Sequence, residues 1–76
     1  MRAMMRELRR AYANGMALEE MREVLVAGKA RGVSRAAMER ALEAWRREVA
    51  GAEEDRILEL LDYVVGWCPS AKKLWP

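Results

Sequence analysis

An all-α fold, a compact four-helix domain containing a helix-turn-helix, is what this chain of 76 residues predicts. Three observations carry that expectation. Apolar residues recur at three- and four-residue intervals, the spacing that gathers them on one face of a helix. Gly15, Gly32, Gly51 and Gly66 stand singly where those patterns break, and glycine takes the left-handed conformation that helix ends use. Acids gather where patterns begin, at Glu19 and Glu20 and again at Glu53, Glu54 and Asp55, while Lys29 and Arg31 lie where one ends. That order complements the helix dipole.

The first helix is expected over residues 2–13, with Met1, Met5, Leu8 and Tyr12 inward and Arg2, Arg6, Arg9 and Arg10 mainly elsewhere. Asn14-Gly15 ends it, since both residues tolerate a helix C-terminus and together make a turn. The second helix begins at Ala17 and runs to Arg31, with Leu18, Met21, Leu25 and Gly28 along one stripe. Gly28 marks a close helix contact. Gly32-Val33-Ser34 is then the turn: glycine supplies positive φ, Val33 dips between the helices, and the Ser34 hydroxyl caps the next helix. That third helix, over residues 35–49, places Met38, Ala41, Leu42, Trp45 and Val49 inward, so the helix-turn-helix covers residues 17–49.

Ala50-Gly51 closes the third helix, and the acidic turn at residue 53 opens a fourth that holds Ile57, Leu58, Leu60, Leu61, Val64 and Val65. It is read as helix to Val65, although Tyr63, Val64, Val65 and Trp67 also suit a strand, and Gly66 and Pro69 stop it. Its apolar face is wide. Either it crosses the other three helices centrally, or it keeps apolar surface for a partner. Residues 70–76 form a tail for which two states stand open, Leu74 and Trp75 folded back on the core or a frayed end.

Composition narrows the function. With no His and one cysteine, Cys68, the chain holds neither an internal disulfide nor zinc-like ligand spacing, so no metal and no cofactor are expected. The usual acid–base group at neutral pH is missing and no glycine-rich phosphate loop occurs, so an enzyme is not expected. No apolar run of about eighteen residues exists and no apolar signal segment comes after Met1, which predicts a cytoplasmic protein with no membrane partner. Charge is unevenly placed. Residues 1–50 carry net +4 and residues 51–76 net −2, so the first part is the better candidate to meet a polyanion.

Residues 16–49, above all Ala27-Gly28, Gly32-Val33-Ser34, Met38 and Ala41-Leu42, resemble the helix-turn-helix part of a winged-helix domain. The order helix, gap, helix, glycine turn, helix is similar to the C-terminal winged helix of archaeal minichromosome maintenance helicases. That resemblance implies a non-catalytic accessory module that touches DNA or partner proteins beside a motor. Where that family continues with two strands and a wing, residues 52–65 carry the pattern of another helix, so the expectation here is a helix-turn-helix domain made only of helices, or a helical bundle that resembles one by convergence.

The sequence supports two functional readings. In the first, the third helix meets DNA, Arg35 near its start contacting bases and Arg40, Arg46 and Arg47 contacting phosphates, with Lys29 and Arg31 at the turn. Against it stands a solvated face, because Glu43 lies four residues before Arg47 and can pair on the helix surface. Arg2, Arg6, Arg9 and Arg10 form a second basic run that either tracks a phosphate backbone or keeps a Met-rich helix soluble. In the second reading, Ile57, Leu58, Leu61, Val64, Val65 and Trp67 on the helix at 53–66 bind a second copy of the chain or a larger protein.

Overall fold

The computed structural model describes residues 1–76. Helix α1 spans Arg2–Ala13 and closes as Asn14-Gly15 predicts. Gly15 takes φ 72°, its N–H donates to Tyr12 C=O at 3.0 Å, and Met16 N–H donates to Ala11 C=O at 3.0 Å. These two bonds satisfy carbonyls that the helix itself leaves unpaired. Helix α2 spans Leu18–Ala30. Ala17 before it has no side-chain acceptor, but the Glu20 carboxylate accepts the Ala17 N–H at 3.4 Å, one half of a capping box.

The turn between α2 and the next helix repeats the α1 device. Gly32 takes φ 98°, its N–H donates to Lys29 C=O at 3.0 Å, and Val33 N–H donates to Gly28 C=O at 3.1 Å, leaving Val33 half-buried against the core. Helix α3 then spans Arg35–Arg46, capped by Ser34 Oγ, which accepts the Ala37 N–H at 3.1 Å. It stops short of the expected residue 49. Beyond Arg46 the backbone tightens, with Glu48 N–H donating to Trp45 C=O at 3.0 Å, and Gly51 at φ 67°, ψ −138° turns the chain back. Only a glycine adopts that conformation readily. The reversal lays helix α4, Ala52–Val65, along α3.

Helix α4 resolves the question its wide apolar face raised. It packs against both α3 and α2, while α1 packs mainly on α2. Ile57, Leu60, Leu61, Tyr63 and Val64 are all buried, so α4 is central. Trp45 is the largest fully buried side chain, surrounded in the same core by Leu8, Met21, Leu25, Met38 and Leu42. The molecule measures 29 × 24 × 21 Å and contains no strand, as the helical pattern of residues 52–65 predicts.

Helix α1 turns a different face inward from the one expected. Met4, Leu8 and Ala11 are buried, Met5 and Tyr12 are half-buried, and Met1 is exposed. Gly28 explains the rotation. With no side chain on α2 at that point, the Met4 thioether occupies the space, and a Cβ on Gly28 would overlap its Sδ. The tail folds back. Ser70–Lys72 make a short 3₁₀ turn, Leu74 is buried, and Trp75 is half-buried.

Candidate nucleic-acid interface

The six cations expected to meet nucleic acid fall into two groups. Lys29, on the last turn of α2, donates to the Leu74 carbonyl and lies 5.1 Å from the Trp75 ring centroid. Arg35 begins α3, but its Nη2 donates to the Val65 carbonyl at the end of α4, 3.3 Å away. Arg46 sits between Glu54 and Glu43, 3.3 Å from each. These three are spent on the fold. Arg31 Nε returns to the Ala27 carbonyl of its own helix at 3.3 Å, while Arg40 and Arg47 are exposed with no hydrogen bond or ion pair.

The structure therefore leaves Arg40 on α3 and Arg47 just past its end with free guanidinium groups, and ties the Arg35 guanidinium to the end of α4, away from the base contact expected of it. On α1, Arg2, Arg6 and Arg10 are exposed and unpaired, whereas Arg9 reaches Glu48 at 2.9 Å and stacks 5.5 Å from the Trp45 ring centroid. The sequence distinguishes none of the four. What separates Arg9 is Glu48, a residue 39 positions away that only the tertiary fold brings near.

The expected partner face divides likewise. Ile57, Leu61 and Val64 are buried in the core and offer nothing to a partner. They belong to the core that α4 forms with α2 and α3, and facing two helices at once requires a wide apolar face. Leu58 is 39% exposed, Val65 is half-buried, and Trp67, just past the left-handed Gly66, is 82% exposed. A groove of about 110 Å³ lies elsewhere, lined by Glu7, Arg10, Ala11, Asn14, Met16 and Val24.

One polar cluster escaped sequence reasoning. Glu19, on the first turn of α2, accepts from Lys72 Nζ at 3.1 Å and from the Tyr63 hydroxyl at 3.3 Å. The Lys72 hydrogen bond holds the Glu19 carboxyl below the usual carboxylate range, against the opposing effect of desolvation. Burial holds the Tyr63 phenol above its ordinary value, and the Glu19 charge adds to that. Arg22 stacks 5.5 Å from the Tyr63 ring centroid and donates to the Lys72 carbonyl at 3.0 Å. Only the tail's apolar Leu74-Trp75 pair hinted at this assembly.

No helix of the molecule is long and apolar enough to cross a membrane. Comparison with protein families, with curated proteins and with solved structures finds no match to this chain.

Proposed function

We propose that this chain is a small, non-catalytic DNA-associated accessory or regulatory module that holds the phosphate backbone through Arg40 on α3 and Arg47 just past its end, with Arg31 at the turn before α3 as a further cation. The observation that carries the reading is that these guanidinium groups are exposed and free of carboxylate partners, in a stretch of net +4 charge. Free cations release counterions on binding; paired ones must first break an ion pair. Base recognition by Arg35 has no such support, because its guanidinium already serves the end of α4. The proposed contact is therefore backbone-directed, and auxiliary.

Titrating a short DNA duplex at two salt concentrations tests this. Affinity should fall steeply with salt, and Arg40→Ala with Arg47→Ala should reduce the slope of log K against log salt by about 2. Arg46→Ala should leave that slope unchanged. No measurable affinity at low salt would end the reading.

A second reading has its own observation. Trp67 is 82% exposed, and tryptophan is enriched where proteins bind one another. On that reading Trp67, with Leu58 and Val65, docks on a second copy or on a larger protein. Sedimentation over a wide concentration range that stays at the monomer mass would remove the second copy.

A further inference from the structure

The outward face of α1 carries three cations that the fold leaves unused. Arg2, Arg6 and Arg10 are exposed and their side chains enter no hydrogen bond or ion pair. Arg2 and Arg6 each lie two residues from the buried Met4, and Arg6 and Arg10 each lie two residues from the buried Leu8. Positions two residues apart are separated by about 160° round a helix, so the three arginines point away from the core. They stand at four-residue intervals, which turns the row by about 80° from end to end and spreads it over about 12 Å of helix axis. No carboxylate neutralises it. Glu7, the one acid of α1, borders the groove beside Arg10 and pairs with none of the three.

Arg9 is the joint between this row and the free cations near the end of α3. Its guanidinium pairs with Glu48 at 2.9 Å and stacks 5.5 Å from the Trp45 ring centroid, which brings the middle of α1 beside the end of α3. Arg10 follows Arg9 in sequence and Arg47 precedes Glu48. A free guanidinium thus adjoins each member of the ion pair.

An evenly spaced row of this kind fits an anion that repeats. Guanidinium groups take phosphate oxygens two at a time, and about 12 Å is the axial rise of three to four successive phosphates on one strand of DNA. A lipid surface fits less well, because the apolar residues that such a helix would sink into it, Met4, Leu8 and Ala11, are already in the core. Acids on a folded protein have no fixed repeat. We infer that Arg2, Arg6 and Arg10 form a phosphate-binding row on α1, a nucleic-acid contact separate from that of Arg40 and Arg47 and adjoining it at the Arg9–Glu48 pair. Arg9 takes no phosphate: its charge is spent on Glu48, and its place sets α1 against α3. The inference rests on the nucleic-acid reading, but on a face of the molecule that the α3 contact does not use.

The test is a salt titration of a short DNA duplex against the full chain and its variants. Arg2→Gln, Arg6→Gln and Arg10→Gln together should lower the slope of log K against log salt by about 3, one step for each arginine, with the thermal unfolding midpoint unmoved. Lys at the same positions keeps the charge and should restore the slope. If the Gln variant keeps its slope while Arg40→Ala with Arg47→Ala loses it, the inference is overturned and the α3 contact stands. The reverse result removes the α3 contact and keeps the row on α1. No affinity at low salt ends both.

Two further measurements separate the row from mere positive charge. Removing the ion pair as Arg9→Gln with Glu48→Gln should leave the slope where it was, because that charge is already neutralised. A drop of about 1 would overturn the inference, since the four arginines would then act as an undifferentiated charge. Vesicles of phosphatidylserine and phosphatidylcholine that bind the unaltered chain but not the Gln variant, with the DNA slope alike for both, would also overturn it, in favour of a lipid surface.

Discussion

The pair α1–α2 and the pair α3–α4 are built from helices of nearly the same length, yet they are joined by different means. Between α3 and α4, the Trp45 indole N–H donates to Glu53 at 2.9 Å, Arg46 bridges to Glu54, and Arg35 reaches the Val65 carbonyl. Between α1 and α2 no side-chain hydrogen bond or ion pair is formed. That seam is Met4, Leu8 and Ala11 against Met21, Val24, Leu25 and the bare backbone at Gly28. The second pair uses its charge to hold itself together and keeps only Arg40 and Arg47 free. The first keeps Arg2, Arg6 and Arg10 free because thioethers and a glycine do the joining. Counting basic residues therefore says little about a binding face until the internal ion pairs have been subtracted.

The largest break in this comparison should come from Trp45→Ala, which removes the largest fully buried side chain and leaves Glu53 without its donor. Urea unfolding should show a loss of about 3 to 5 kcal/mol. Next, Gly28→Val forces a side chain into the space of Met4 and should cost about 1 to 3 kcal/mol. Met4→Ala in the same chain should recover part of that loss, since the two positions share one volume. If the double variant is no better than the sum of the singles, the glycine is not what seats α1.

Arg46→Ala sharpens the contrast at a smaller scale. Its two ion pairs are more than a third exposed, so the expected loss is about 0.5 kcal/mol. Arg6→Ala, with no partner to lose, should leave the unfolding midpoint where it was.

Acidity probes the tail. The Glu19 carboxyl is held low in the folded chain, so its contribution is present above the unfolded carboxylate range and disappears as pH falls through the folded value. Tyr63 runs the other way. Its phenol is held high, so its contribution is present below the unfolded phenol value and is lost as pH rises through the folded one. Glu19→Gln should flatten part of the acid limb of the stability profile, and Tyr63→Phe part of the alkaline limb. A profile unchanged by either substitution would mean that the Glu19, Lys72 and Tyr63 cluster does not hold in solution.

Most of the fold was legible because helix ends are written in local chemistry. Gly15, Gly32, Ser34, Gly51 and Gly66 each act through groups a few residues away, and a linear reading reaches that far. The face of α1 was not legible. Met1, Met5, Leu8 and Tyr12 fit helical spacing as well as Met4, Leu8 and Ala11, and only the missing side chain at Gly28 decides between them. Burial of Ile57, Leu61 and Val64 escaped for a related reason, since a broad apolar face reads alike whether two helices or a partner cover it. At the candidate interface, the free state of Arg40 and Arg47 and the engagement of Lys29, Arg35 and Arg46 are set by groups from elsewhere: Leu74 and Trp75, Val65 and Glu54. Charge spacing on one helix carries no record of them.

The two strongly packed pairs, α1 with α2 and α3 with α4, join helices that are consecutive along the chain, and that ordering governs how the molecule assembles in time. Contacts between sequence neighbours close small loops, and all-helical domains built from them fold in microseconds to milliseconds. The Lys29 to Leu74 contact spans 45 residues and must wait for the helices it bridges. The tail should therefore arrive last and depart first, opening and closing many times during the life of a single folded molecule.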